Sequence, residues 1–340
     1  MPHPRTLCSL LLLGALAVTV RGQQPDPPPP APVHNVPGPD VVAAVVNDQK
    51  IPELAVYRVL LQAPEAGRGE LRPEVINFLV NNALVDQYLD QMKVVVEPKE
   101  LDAQVEKVKG EIKMAYKDVD NFFKMLHLTE AELRTQVYQT LRWDKFLNQY
   151  ATDDALKKFH EANKCMFDGS QVRARHILVA AKPGDAAAAE PAKAKLVAIK
   201  KAIEEKVAKG LAEAGNLDNL ELQKKRLKLL EDAFADAAKD SDCPSKNHGG
   251  ELFWFPRIGG RVSDQFAAAA FAMKVGELSD PVSTEFGWHL ILVADTKPGV
   301  ERRFEDLKEV IKDVYADRMR EAVVQRMRPV AKISISPAPK

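Results

Sequence analysis

Three cysteines in 340 residues are too few for a disulfide framework. None stands in the close-paired spacing typical of a zinc site. Charge of one sign is not in excess either, since 48 basic residues meet 48 acidic ones. A neutral total gives no sign of the basic face that a nucleic-acid partner normally needs. Beyond the N-terminus no apolar run approaches the roughly 20 residues of a membrane span, and there is no internal repeat. What remains is a chain of ordinary globular composition, 46% hydrophobic and 28% charged. It is long enough for two domains, each held by its own core.

The N-terminus reads as a secretory signal over residues 1–22, with Arg5 before an apolar stretch from Leu7 to Val20 and small residues at the cleavage point. Removing it takes away Cys8, Arg5 and Arg21, so the exported chain stays near neutral and keeps no membrane-spanning segment. Cys165 and Cys243 would then face an oxidising compartment, either as a disulfide or as two buried thiols. Residues 25 to 39 hold eight prolines, so 23–40 is expected to be a solvated, extended linker.

From 41 to 168 the pattern is mainly helical. Val41 to Val46 predicts a short strand, Asn47-Asp48 a turn, and Pro52 a helix start. Pro73 and Pro98 are expected to open the next two helices, striped by Ile76, Leu79, Val80 and Leu84 and by Leu101, Val105, Val108 and Ile112. Thr129 with Glu132 has the spacing of a capping box. Thr152 is expected to start a shorter helix. Helices of this kind bury their apolar faces against one another.

The pattern changes between 169 and 298. Gln171 to Val179 and Trp288 to Val293 read as strands, with Ala/Lys/Leu-rich helical segments and glycine-punctuated loops between them. The Ala/Pro stretch from Pro183 to Ala192 is expected to be a flexible loop. After Pro298 an amphipathic helix returns, then an edge strand at Ile333 and Ile335, which makes 299–340 a continuation of the first body. The fold class is therefore α+β, a small sheet with surrounding helices inserted into a mostly α-helical domain.

Within the insert, His176 and His289 interrupt otherwise apolar strands. By alternation His176 shares a face with Val172, Ala174 and Leu178, and His289 shares one with Ile291 and Val293. Each could be a hydrogen-bonded core histidine. Cys243, in Asp242-Cys243-Pro244-Ser245, could be a small buried hydrophobe. A cysteine hydrolase would need a base and an oxyanion hole beside it. The residues by themselves leave an unusual polar cluster and no assigned reaction.

Five patches, in order, resemble the parvulin family. They are Arg175-His176-Ile177-Leu178-Val179, then Ser241 to Ser245 with Gly249-Gly250-Glu251-Leu252, then Val262 through Phe266 to Phe271-Ala272. Val275 to Val282 and Phe286-Gly287-Trp288-His289-Leu290-Ile291 complete the set. The flanks are similar to envelope foldases of the SurA and PrsA kind. The resemblance implies a peptidyl-prolyl cis-trans isomerase that helps exported proteins fold, needs no cofactor or metal, and acts on unfolded polypeptides with X-Pro bonds in the periplasm or cell envelope. It implies that Leu252, Val262 and Phe266 line a proline pocket. Cys243 would lie beside the twisting bond, with His176 and His289 facing each other beneath it and Thr284 bonded to the pair. The alternative is a chaperone whose parvulin domain binds peptide but turns over poorly.

Departures from the family pattern bear on specificity. The loop from Phe255 to Gly260 is longer and carries Pro256, Val262 stands where methionine is common, and Leu211 to Leu230 is an extra stretch. The loop after the first strand lacks the arginine cluster of phosphate-directed parvulins, so Lys182 and Lys193 read as solvated surface lysines.

Overall fold

The computed structural model describes residues 36–61, 63, 68–116, 118–181 and 186–338. The signal segment and the proline run as far as residue 35 lie outside them, as do Lys182 and the start of the Ala/Pro stretch. The described residues divide into two compact units: those up to Leu156 with those from Lys312 onward, and those within Lys157–Ile311. These junctions fall outside the 169 and 298 read from the sequence. None of the described helices is long and apolar enough to cross a membrane.

In the first unit β1 (Val42–Val46) and β2 (Gln49–Pro52) form a hairpin turned by Asn47, whose φ of 57° suits asparagine. The far strand of the chain, β7 (Ile333–Ile335), pairs antiparallel with β1. Pro52 closes β2 and precedes α1 (Glu53–Leu60). Helix α2 (Arg68–Gln91) begins before Pro73 rather than at it. The proline lies close enough to the helix start to forfeit only one early hydrogen bond. Then come α3 (Pro98–Tyr116), α4 (Val119–Met125) and α5 (Glu130–Tyr150), the last with both halves of the Thr129–Glu132 capping box in place. One core joins Val46, Ile51, Ile76, Val80 and Leu84 to Val323 and Met327 of α10 (Phe304–Met327). A second joins Val105, Val108 and Ile112 to Leu133 and Val137.

Helix α6 (Asp153–Ala162) crosses the junction into the second unit. There β3 (Gln171–Ala180), β4 (Glu251–Pro256), β5 (Val282–Thr284) and β6 (Gly287–Lys297) make an antiparallel sheet in the order β4-β3-β6-β5. Ile177, Leu290 and Leu292 cover one face with Leu196, Ile203, Leu230 and Phe234 of α7 (Ala186–Ala212) and α8 (Asn219–Ala237). Val172, Ala174, Ile291 and Val293 cover the other with Phe266, Ala267 and Ala270 of α9 (Asp264–Phe271). The Ala/Pro stretch is corrected here: from Ala186 it is already helix, with Pro191 inside the early part of α7. Its run of alanines is a strong helix former, and that outweighs one proline near the start.

Candidate active site

The two histidines meet because of register. His289 lies opposite Leu178 and His176 opposite Ile291, so the rings are diagonal neighbours on one face of the β3–β6 pair. Both are buried, 5% and 4% exposed. Their Nδ1 atoms are 3.1 Å apart and the ring planes differ by 16°. His176 Nε2 is 3.0 Å from Ser245 Oγ, and His289 Nε2 is 2.8 Å from Thr284 Oγ1. All four ring nitrogens are therefore engaged, in the chain Ser245–His176–His289–Thr284. The chain admits two proton arrangements: one Nδ1–H donates to the other ring, and the two hydroxyls take complementary roles. The backbone N–H of Phe286 donates to Thr284 Oγ1 at 3.1 Å, which leaves the threonine able to accept or donate toward His289.

Burial pushes both imidazoles down to about 4, with the charge of His176 adding to the effect on His289. At neutral pH the pair is uncharged, as the single proton between the two Nδ1 atoms requires.

Phe266 meets both rings edge-on, with centroids 5.6 Å from His176 and 5.3 Å from His289. It is 2% exposed, and the N-cap of its helix, Ser263, accepts from the Phe266 N–H at 3.4 Å. Leu252 and Val262 are half-buried in the same cluster. Leu252 and Phe255 stand three apart on β4, a spacing that regular alternation sends to opposite faces. Both reach this one because Phe253 takes a left-handed φ of 54° where the register with β3 slips.

The cysteine loop is tied to the end of β3. Ser241 Oγ accepts from the N–H of Leu178 at 3.0 Å and from that of Cys243 at 3.2 Å. The Asp242 N–H donates to Leu178 O at 2.9 Å, and Asp242 Oδ2 accepts from the Ala180 N–H at 2.8 Å. Cys243 then caps a short 3-10 turn, Pro244–His248, that carries Ser245. Cys243 and Cys165 are both half-buried free thiols, which removes the disulfide alternative, and burial pushes the Cys165 thiol up.

Two residues of the site are absent from the sequence reading as contributors. Ser245 stands inside a quoted motif, but nothing in its spacing marks it as the partner of His176. Arg257, buried in the longer loop, pairs with Asp264 at 2.7 Å and ties that loop to the first turn of α9. An arginine ahead of a helix that begins Ser-Asp is the signal that could have found it. Lys193 is not simply solvated: it pairs with Glu190 at 2.7 Å and lies 4.5 Å over the Trp288 ring.

Residues 151–309 match the family described as the PPIC-type PPIASE domain. The second unit is thus a parvulin-type isomerase domain, and the chain is a peptidyl-prolyl cis-trans isomerase. Around that domain the chain resembles a PrsA-type foldase. It is 26% identical to the foldase protein PrsA of Caldanaerobacter subterraneus subsp. tengcongensis, over 86% of this chain and 90% of that one. It is 25% identical to the foldase protein PrsA of Clostridium botulinum (strain Langeland), over 78% of this chain and 72% of that one. A crystal structure of the peptidylprolyl isomerase PrsA from Bacillus anthracis is 21% identical, covers 72% of this chain and 93% of its own, and aligns with a TM-score of 0.39. The alternative of a peptide-binding chaperone with a weakly active or inactive parvulin domain is not favoured.

Proposed function

We propose that this isomerase acts on unfolded, exported polypeptides, seating the proline ring on Phe266 between Leu252 and Val262 while the X-Pro bond turns above the histidine pair. The observation that carries the reading is the uncharged Ser245–His176–His289–Thr284 chain lying against Phe266. Rotation about an X-Pro bond must cross a barrier of about 18–20 kcal/mol, which comes from amide resonance. As resonance is lost, negative charge leaves the carbonyl oxygen and the twisted bond becomes less polar than the planar one. An apolar seat that excludes water favours that twisted state.

No covalent step is called for. A nucleophilic Cys243 would need an imidazole nitrogen free to take its proton, and all four are bonded to one another or to hydroxyls. The histidines serve instead as a rigid neutral floor. Cys243 lines the site beside the rotating bond, and Thr284 orients His289. The relatives' role as foldases, together with the signal-like N-terminus, supports a place outside the cytoplasm, in the periplasm or cell envelope.

Titrating isotope-labelled protein with a short Xaa-Pro peptide tests the assignment. Amide shifts are expected at Leu252, Val262, Phe266 and His289, with none from the Xaa-Ala analogue. Equal shifts from both peptides, or shifts confined to the first unit, would overturn it.

A further inference from the structure

Arg175 lies next to His176 on β3, and by alternation its side chain leaves the sheet on the opposite face. There its Nη1 donates to Gly249 O at 3.1 Å and to His248 O at 3.4 Å. Those carbonyls end the 3-10 turn that carries Ser245, and the last carbonyls of so short a turn have no partner within it. The same turn is held from the other side of the arginine. Gly250 N–H donates to Ser245 O at 2.9 Å, and Gly250 O accepts from His176 N–H at 2.8 Å. Adjacent residues of one strand therefore grip both ends of a single unit, His176 by its backbone and ring and Arg175 by its guanidinium. The turn is closely packed here, since a side chain at Gly249 would come within 2.8 Å of Ala235 Cβ and 2.9 Å of Arg175 Nη1. The arginine is held in turn by Glu251 at 3.5 Å, and its Nε is buried without a partner, so the two carbonyls are its main attachment.

We propose that Arg175 is a positioning residue for isomerisation: by capping this turn it holds the Ser245 hydroxyl on His176 Nε2 and so keeps the hydrogen-bonded chain through both histidines intact. The inference deepens the reading of the histidine pair as the catalytic floor and rests on it. Arg175 touches neither Leu252, Val262 nor Phe266 among the contacts described, so proline binding should survive its loss.

The test uses the full chain and NMR-detected cis-trans exchange of a short Xaa-Pro peptide, with the imidazole ¹⁵N spectrum read on the same samples. Arg175→Met is expected to lower kcat about tenfold with KM within about twofold, as a slightly displaced group does. It should also move the His176 Nε2 resonance. Arg175→Lys, with one compact donor for two carbonyls, should lower kcat about threefold and move the same resonance less. Either folded variant with wild-type kcat, or with lowered kcat but an unchanged imidazole spectrum, would overturn the proposal. If Arg175→Met does not fold, Arg175→Lys alone decides by the same criteria. Phe266→Leu separates the two levels. Full activity in that variant would sink the site reading itself, whereas activity lost there and kept in the Arg175 variants would sink only the cap.

Discussion

Two imidazoles with nitrogens 3.1 Å apart cannot both be protonated without a charge clash inside an apolar cluster. That fixes how the site responds to acid. Both rings are pushed from 6.5 down to about 4, so the unfolded chain takes up protons first as pH falls. The stability the neutral pair contributes is complete above pH 6.5 and is lost as pH drops toward about 4. Isomerase activity should accordingly stay flat between about pH 5 and 8, with no inflection at the ordinary histidine value. A kcat/KM profile that bends near 6.5 would mean that a free imidazole, not the buried pair, controls turnover. At this scale the histidines were legible because each breaks an apolar strand of known period. Ser245 was not, because a hydroxyl in a loop obeys no period and its partner lies 69 positions away.

Among the elements, the turn from Pro244 to Gly250 does most to shape the site, and its glycines explain why. Gly250 has a φ of 77°, and a side chain there would come within 2.4 Å of the His176 carbonyl. Gly250→Ala should therefore destabilise the second unit by more than about 1 kcal/mol, through a strained backbone and a displaced strand. It should also cut isomerase activity, because Gly250 O accepts from the His176 N–H. Denaturant unfolding with a parallel activity assay checks this, and wild-type stability in the variant would contradict it. Element type was largely legible from hydrophobic period and capping, as the Thr129–Glu132 box illustrates. Proline was an uneven guide, since Pro98 opens α3 as expected but other prolines do not mark a helix start. Pro73 and Pro191 both lie inside helices that begin several residues earlier, where one lost hydrogen bond is outweighed by the turns around it. The left-handed Phe253, which lets Leu252 and Phe255 share a face, had no local signature at all.

For the whole molecule, β7 explains why one unit is built from both ends of the chain. It pairs with β1 across nearly the full sequence, and Arg72 seals the joint by bonding both Glu53, at 2.7 Å, and the carbonyl of Ser336. The sequence pointed to an insert within a helical body from the change of period near 169. It could not locate the junctions inside α6 and α10, because each helix carries the same amphipathic pattern on both sides of its division. Every role assigned above depends on X-Pro bonds turning in the apolar seat beside the neutral histidine pair. The measurement that tests it most directly is cis-trans exchange of a short Xaa-Pro peptide by NMR, with the full chain and with Leu252→Ala and Phe266→Leu. Clear acceleration by the wild type is expected and, in each variant that remains folded, a loss of about tenfold or more. Acceleration that both folded variants retain would place the chemistry elsewhere and contradict the account.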